Sequence, residues 1–270
     1  MDFEISIMIS YFQINSFIIG PLTIQVWGLM VSLGIVAGLF LSRYLAKKYF
    51  LSVDVLLDLA IWALLAGMIG GRVFFVLFYS LDYFLANPLD IFKFWQGGAS
   101  SLGGFFGAMG AVWLFAKRRH FSFKELLPYL DIGVVGLWLG WGIGRLGCFM
   151  IHDHPGRLSN FLLAVNFSEG ARHDLGLYDS LLGFTIFIVF ILLFKYLARK
   201  KWGLVTALSV GFYALVRFFL DFLRATDLAQ VDYRYFYLTP AQWGMILVLF
   251  ILTFLGFWAN ITRVNKKSLN

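Results

Sequence analysis

A chain of 270 residues that is 60% hydrophobic and only 14% charged departs from soluble domains, in which charged residues make up about a quarter. Its near-uncharged apolar runs of about 18 to 25 residues exclude the soluble classes and read as an all-α, polytopic membrane protein in one transmembrane domain, 1–270. The net charge of +7 is not read as a nucleic-acid footprint, because the basic residues gather in short loops between the apolar runs.

Met1 to Phe17 carries Asp2 and Glu4 and no basic residue, so the positive n-region of a cleavable signal peptide is missing. Seven spans are expected, at about 19–42, 55–78, 99–116, 128–151, 178–198, 203–222 and 239–261. The third is the least regular, because Gly97-Gly98-Ala99-Ser100-Ser101-Leu102-Gly103-Gly104 reads as an irregular approach. Lys and Arg residues set the orientation. Arg43, Lys47 and Lys48 follow span one, Lys117, Arg118, Arg119 and Lys124 follow span three, and Lys195, Arg199, Lys200 and Lys201 follow span five. With Arg263, Lys266 and Lys267 at the C-terminus, 14 basic residues share one side, against five on the other: Lys93, Arg157, Arg172, Arg224 and Arg234. The positive-inside rule then places the N-terminus outside and the C-terminus in the cytoplasm. The two longest connections, 79–98 and 152–177, fall on the outer side, where function is expected.

Arg72, Arg145 and Arg217 lie within or at the outer ends of spans. A guanidinium in hydrocarbon costs roughly 2.5 to 3.5 kcal/mol on insertion scales, so each needs a partner. Arg217 has Asp221 one turn away, a self-sufficient pair. Arg72 and Arg145 have no such neighbour, which leaves Asp131, Asp153, Asp221 or a bound anion. The abundant anion of a membrane is a lipid phosphate, and a guanidinium meets its oxygens as a bidentate fork.

Gly67, Gly70 and Gly71, and the run Gly136, Gly140, Gly142, Gly144, Gly147, have the small-xxx-small spacing of close helix packing. The glycines of 97–104 admit a binding loop as well, since backbone without side chains lets a ligand approach. His152-Asp153-His154 admits three readings. It is a wet loop closed by the Pro155-Gly156 turn, a proton-transfer or headgroup contact, or a zinc site completed by His173 or Asp174. Cys148 stands alone, which excludes an internal disulfide and an all-cysteine metal cage. Trp95, Tyr178, Tyr213 and Tyr233 to Tyr237 are expected at the outer interface as anchors.

Seven collinear motifs, over about 20–258, resemble the prolipoprotein diacylglyceryl transferase family. They are Trp27-Gly28-Leu29-Met30; Gly70-Gly71-Arg72 with Phe78-Tyr79; Asn87-Pro88-Leu89 and Trp95-Gln96-Gly97-Gly98 with Gly103-Gly104; Gly144-Arg145-Leu146-Gly147-Cys148-Phe149; Leu177-Tyr178-Asp179; Tyr213 to Phe218 with Asp221 and Arg224; and Leu238-Thr239-Pro240-Ala241-Gln242. The sequence departs from the family pattern at Leu102 (His), Cys148 (Asn), Asp153 (Glu) and Trp27 (Tyr). Exchanging Asn for Cys replaces an amide of four hydrogen-bonding positions by a weak donor.

The resemblance implies a multi-pass inner-membrane enzyme with its site toward the extracytoplasmic leaflet. It would move a diacylglyceryl group from phosphatidylglycerol to the lipobox cysteine of preprolipoprotein signal peptides, forming a thioether, with no cofactor, metal or nucleic acid. Its implied catalytic residues are Arg145, Arg217, Asp153, His152 and His154. Phosphatidylglycerol would meet Arg72, Arg145, Arg217, Arg224, Gly103, Gly104 and Cys148, among surrounding membrane lipids. A lipid-binding or translocating protein that keeps the arginines without the chemistry, and a metal-dependent hydrolase built on His152, Asp153, His154 and His173, stay open as rivals.

Overall fold

The computed structural model describes residues 8–93, 97–228 and 234–267. Asp2, Glu4, Trp95, Gln96 and Tyr233 lie outside the described residues. The chain forms two compact units, residues 39–133 and the combination of 1–38 with 134–270.

In the unit 39–133, α2 (Val53–Tyr79) and α4 (Ser101–Arg118) pack antiparallel, and they do so through glycine. A Cβ on Gly70 would stand 2.5 Å from the Gly103 carbonyl oxygen, and one on Gly107 2.2 Å from that of Ala66. No larger residue permits this approach of two backbones. Gly103 and Gly104 are both helical, but only Gly103 is spent on the packing, where a Cβ would stand 2.4 Å from the Gly70 carbonyl oxygen. This corrects the expectation that Gly103 contacts lipid, while a Cβ on Gly104 would meet the Gly67 carbonyl oxygen at an ordinary 3.5 Å. The irregular approach is confined to 97–100, where Gly97 and Gly98 hold φ of +81° and +79° and the Ser100 amide donates to the Gly71 carbonyl at 2.9 Å. Between the helices run α3 (Leu81–Ala86) and a 3-10 turn, Pro88–Phe92.

In the other unit the chain begins with β1 (Ile9–Ser10) and a hairpin, β2 (Ser16–Ile19) paired with β3 (Leu22–Gln25). The expected first span thus starts late: α1 runs Val26–Lys48, because Gly20, at φ +58°, turns the β-branched stretch back on itself. α5 (Phe123–Ile151) starts earlier than expected. Ser122 and Glu125 form a reciprocal cap there, the Ser122 amide donating to Glu125 Oε2 at 2.7 Å and the Glu125 amide to Ser122 Oγ at 3.4 Å. Connection 152–177 folds as β4 (Pro155–Leu158), β5 (Val165–Phe167) and β6 (Gly170–Asp174), which with β1 form a sheet of order β1-β5-β6-β4. The all-α expectation is corrected to a mostly helical fold with two small sheets. The reason is local: Ser168-Glu169 joins β5 to β6, and Gly170 at φ +115° closes the hairpin. α6 (Leu175–Lys200), α7 (Leu204–Leu220) with the 3-10 turn Asp221–Leu223, and α8 (Pro240–Lys267) complete the unit.

The glycine run of α5 serves two faces. Gly140 and Gly136 meet Gly34 and Gly38 of α1 backbone to backbone, while Gly142 meets Gly183 of α6, where Ser180 Oγ donates to the Gly142 carbonyl at 2.8 Å. Trp138, Trp141 and Arg145 share the α6-facing side with Gly142 by the i, i+3, i+4 rule. The glycines therefore determine how near Arg145 comes to α6. Gly140→Ala would place a Cβ 2.7 Å from the Gly34 carbonyl, a backbone atom that cannot swing away. The expected cost is about 1 to 3 kcal/mol, read as a lower unfolding temperature in detergent. Gly133→Ala, which meets nothing within 4 Å, is the control and should be neutral.

Among the described residues, five helices are long and apolar enough to cross a membrane: Val26–Lys48, Val53–Tyr79, Phe123–Ile151, Leu175–Lys200 and Leu204–Leu223. Pro240–Gly256 is a shorter apolar stretch. Their outward side chains include Phe40, Leu192 and Phe250, all more than 60% exposed, which suits hydrocarbon rather than water.

Candidate active site

Arg72 is the first of the expected phosphate ligands and the one the structure reassigns. Its guanidinium, 3% exposed, faces the connection that follows α2. Nε donates to Ile91 O at 3.0 Å, Nη1 to Gly98 O at 2.9 Å and to Gly97 O, and Nη2 to Asp90 O at 2.7 Å and Lys93 O at 3.1 Å. A guanidinium has five N–H donors, and five carbonyls take them. Arg72 therefore pins 90–93 and 97–98 and keeps no donor for a lipid phosphate.

Arg145, Arg217 and Arg224 come together in the unit that holds α5 to α8. Asp179, on the second turn of α6 and 1% exposed, lies between two of them: its Oδ2 is 3.5 Å from Arg145 Nε and its Oδ1 3.5 Å from Arg217 Nε. Asp221 follows, with Oδ1 3.0 Å from Arg217 Nη2 and 2.6 Å from Arg224 Nε, while Thr239 Oγ1 donates to its Oδ2. The result is an alternating row, Arg145–Asp179–Arg217–Asp221–Arg224, with three positive and two negative charges. Its net +1 matches one monoanion. The pair Arg217–Asp221 was legible as i,i+4 spacing. The partner of Arg145 is Asp179 rather than Asp131, Asp153 or Asp221.

Each member is placed by its element. Asp174 caps α6, accepting from the Leu177 amide at 3.0 Å, and so starts the helix that carries Asp179. Thr239 and Gln242 form a reciprocal cap on α8, with Pro240 at its first position, and Gln242 Nε2 donates to Phe218 O at 3.1 Å. This cap fixes the Thr239 hydroxyl on Asp221. Arg145 rests on the Trp141 ring, its guanidinium carbon 4.5 Å from the centroid, and Tyr213 packs against Trp141 and Trp138 at 5.8 Å and 4.9 Å. Tyr213 thus walls the site instead of anchoring an interface. Tyr178, buried with its hydroxyl 2.7 Å from His173 Nδ1, is no anchor either. Burial lowers the pKa of that histidine.

Both ends of the row are partly open, Arg145 18% and Arg224 21% exposed at the side chain, while Arg217 between them is enclosed at 5%. Besides Asp179 and the Trp141 face, the contact of Arg145 among the described residues is a long one, Nη1 to Cys148 Sγ at 3.9 Å. It keeps N–H donors for an added oxygen ligand, as Arg72 does not.

The triplet after α5 divides. His152 ends the helix in the left-handed region, at φ +51°, and its side chain is 1% exposed. Tyr11, Phe12, Phe149 and Phe167 box the ring at centroid distances of 5.1 to 5.3 Å, and Nδ1 is 2.6 Å from Asp174 Oδ2. Burial raises the pKa of the Asp174 carboxyl, opposed by its bond to His152. This is a sealed structural histidine, and its expected role as a general base is corrected on that ground. Asp153 and His154 remain 34% and 29% exposed, with His154 Nδ1 hydrogen-bonded to Asp153 Oδ1. His152 and His173 are each committed elsewhere, so the four-residue metal site of the hydrolase reading does not assemble.

Sequence reasoning passed over Asp179, Trp141, Thr239 and Gln242 as site residues. The signal for Asp179 was present: it is the sole acid in the apolar run 175–198, and such a residue needs a cation.

The family described as prolipoprotein diacylglyceryl transferase matches residues 15–259. Proteins named phosphatidylglycerol–prolipoprotein diacylglyceryl transferase are similar over most of their length. That of Pseudomonas aeruginosa is 36% identical over 233 residues, 84% of this chain and 86% of that protein. That of Pseudomonas fluorescens is 35% identical over 274 residues, 97% and 99% of the two, and that of Oleidesulfovibrio alaskensis 36% over 229 residues, 82% and 84%.

Proposed function

The chain belongs to the prolipoprotein diacylglyceryl transferase family, and from that premise we propose how its residues divide the work. It is a transferase that moves the diacylglyceryl group of phosphatidylglycerol to a prolipoprotein cysteine thiol. A thiolate attacks an sp³ glyceryl carbon, a C–S bond forms, the C–O bond to phosphate breaks, and the electron pair leaves on the phosphate oxygen as glycerol phosphate. The observation that carries the assignment is the buried row of three arginines and two aspartates with one positive charge in excess.

Phosphatidylglycerol brings one negative charge on its phosphodiester, and that charge grows on the leaving oxygen. Arg145, with its open N–H donors, takes the phosphate. Arg217 supports it through Asp179, and Arg224 completes the row. In a site shielded from water such fixed donors stabilise developing charge more strongly than in solution. Trp141 and Tyr213 hold the guanidinium in place, and the acceptor thiol enters at the side of Cys148, Asp153 and His154.

The chain crosses the inner membrane seven times, α4 and α8 included, with the N-terminus outside and the C-terminus cytoplasmic. The 14-to-5 division of basic loop residues supports this orientation. It puts the mouth formed by 152–177 at the extracytoplasmic leaflet.

Reconstitution with labelled phosphatidylglycerol and a lipobox peptide tests the reading. Thioether-linked diacylglyceryl peptide is the expected product, and a peptide with Ser for the lipobox Cys should give none. Lipid binding without product would overturn the transferase reading in favour of a lipid-binding protein.

A further inference from the structure

The left-handed turn at His152 brings the chain back on the end of α5. Cys148 Sγ, a carboxylate oxygen of Asp153 and a ring nitrogen of His154 consequently lie within 4.8 Å of one another. Cys148 is buried, and the other two reach the polar mouth. This cluster is beside the phosphate site, since Arg145 Nη1 is 3.9 Å from the same sulfur.

A protein nucleophile is one use for a Cys-His-Asp set, and the chemistry argues against it here. A Cys148 thiolate that took the diacylglyceryl group would become a thioether, and a thioether does not pass an alkyl group onward to a second thiol. Cys148 therefore serves better as a ligand than as a nucleophile. Zinc accepts thiolate, imidazole and carboxylate at about 2.3, 2.0 and 2.1 Å, which puts ligand atoms of one tetrahedral ion roughly 3.5 Å apart. Asp153 Oδ1 and His154 Nδ1 are already hydrogen-bonded and part by about 1 Å on a shared ion, while Cys148 Sγ, within 4.8 Å of both, moves in by about as much.

We propose that Cys148, Asp153 and His154 bind a zinc ion whose fourth position takes the acceptor cysteine of the prolipoprotein as a thiolate. This rests on the transferase reading for the identity of the fourth ligand, while the metal site itself does not. Charge supports it: a Cys148 thiolate and the Asp153 carboxylate neutralise the divalent ion, so it adds nothing to the field of Arg145. The Arg145 N–H aimed at the sulfur then becomes a hydrogen bond to a metal-bound thiolate, the kind of outer contact that orients a ligand. With His152 sealed in its aromatic box, something else must deprotonate a thiol of ordinary pKa about 8.5. Coordination does so outright.

The step balances. The acceptor S–H proton goes to water at the exposed mouth as the Zn–S bond forms. The coordinated sulfur then makes the C–S bond to the glyceryl carbon while the C–O bond breaks and its electron pair leaves with the phosphate. The product thioether is a weak zinc ligand and dissociates, which reopens the fourth position.

The test uses the full-length protein, purified in detergent without chelator and assayed for metal. Zinc equimolar with the chain is expected, falling to near zero in Cys148→Ala and in His154→Ala. Replacing zinc by cobalt(II) should give a sulfur-to-cobalt charge-transfer band. That band should strengthen when a lipobox peptide adds a second thiolate and stay unchanged with the Ser peptide. Monodisperse elution and parent-like helix content by circular dichroism in each variant separate loss of the metal from loss of the fold. His154→Cys, which keeps a zinc ligand, should restore metal. Absence of zinc and cobalt binding in the parent protein, or equal binding in both alanine variants, overturns the site. Full transfer by metal-free protein overturns its role and leaves the transferase reading standing. Metal bound with no thioether formed keeps the site and overturns that reading instead.

Discussion

Replacing Arg145 by Ala should lower diacylglyceryl transfer by about 10²- to 10³-fold, the usual scale for removing one positioned donor from a site of developing negative charge. The structure singles out this arginine among three. Arg72 spends its donors on five carbonyls, and Arg217 lies deeper, between two carboxylates. Arg145 touches one carboxylate oxygen at 3.5 Å through Nε, and its Nη1 makes only a long contact, 3.9 Å, to Cys148 Sγ. Arg145→Lys should recover little, because one ammonium cannot hold Asp179 and a phosphate together as a planar fork does. The measurement is the initial rate in proteoliposomes with labelled phosphatidylglycerol, alongside elution and thermal unfolding in detergent. A rate within a few fold of the parent, from correctly folded Arg145→Ala, would sink the phosphate assignment.

The second large effect belongs to Asp179 and falls on stability as well as rate. Both of its oxygens face guanidinium nitrogens, and neither accepts a normal hydrogen bond. Its value is therefore Coulombic: it separates two buried like charges. Asp179→Ala leaves Arg145 and Arg217 facing each other and raises the excess of the row from one charge to two. Removing one partner of a buried pair costs about 3 to 5 kcal/mol. The expected result is a large drop in unfolding temperature in detergent. Asp179→Asn should lie close to Ala, because its amide restores volume and not charge. A double variant, Asp179→Asn with Arg217→Met, should regain part of the lost stability, since it removes the uncompensated charge too. If Asp179→Ala melts with the parent, the row is not held by this carboxylate.

The contrast between Arg72 and Arg145 shows where local sequence stops informing. Both are single arginines in apolar, glycine-spaced helices, each without an acid one turn away. Spacing along one helix decides only contacts within that helix, such as Arg217 with Asp221 or the Thr239–Gln242 cap. Arg72 is satisfied by carbonyls 18 to 26 residues on, and Arg145 by a carboxylate 34 residues on. Nothing in the period of a helix selects those partners.

What the sequence determined by itself was the part governed by local chemistry. Hydropathy marked the apolar helices, and small residues marked where backbones touch. An arginine in an apolar run signalled that an anion or a carboxylate must be near. Tertiary structure decided which one. It assigned Asp179 to the row, turned Arg72 into a loop pin, sealed His152 in aromatic rings and folded 155–174 into strands. It also carried Cys148 to within reach of Asp153 and His154 by one left-handed residue. The physical reason is that burial and electrostatic pairing are sums over neighbours in space. Residues far apart in the chain enter those sums only after the helices have packed.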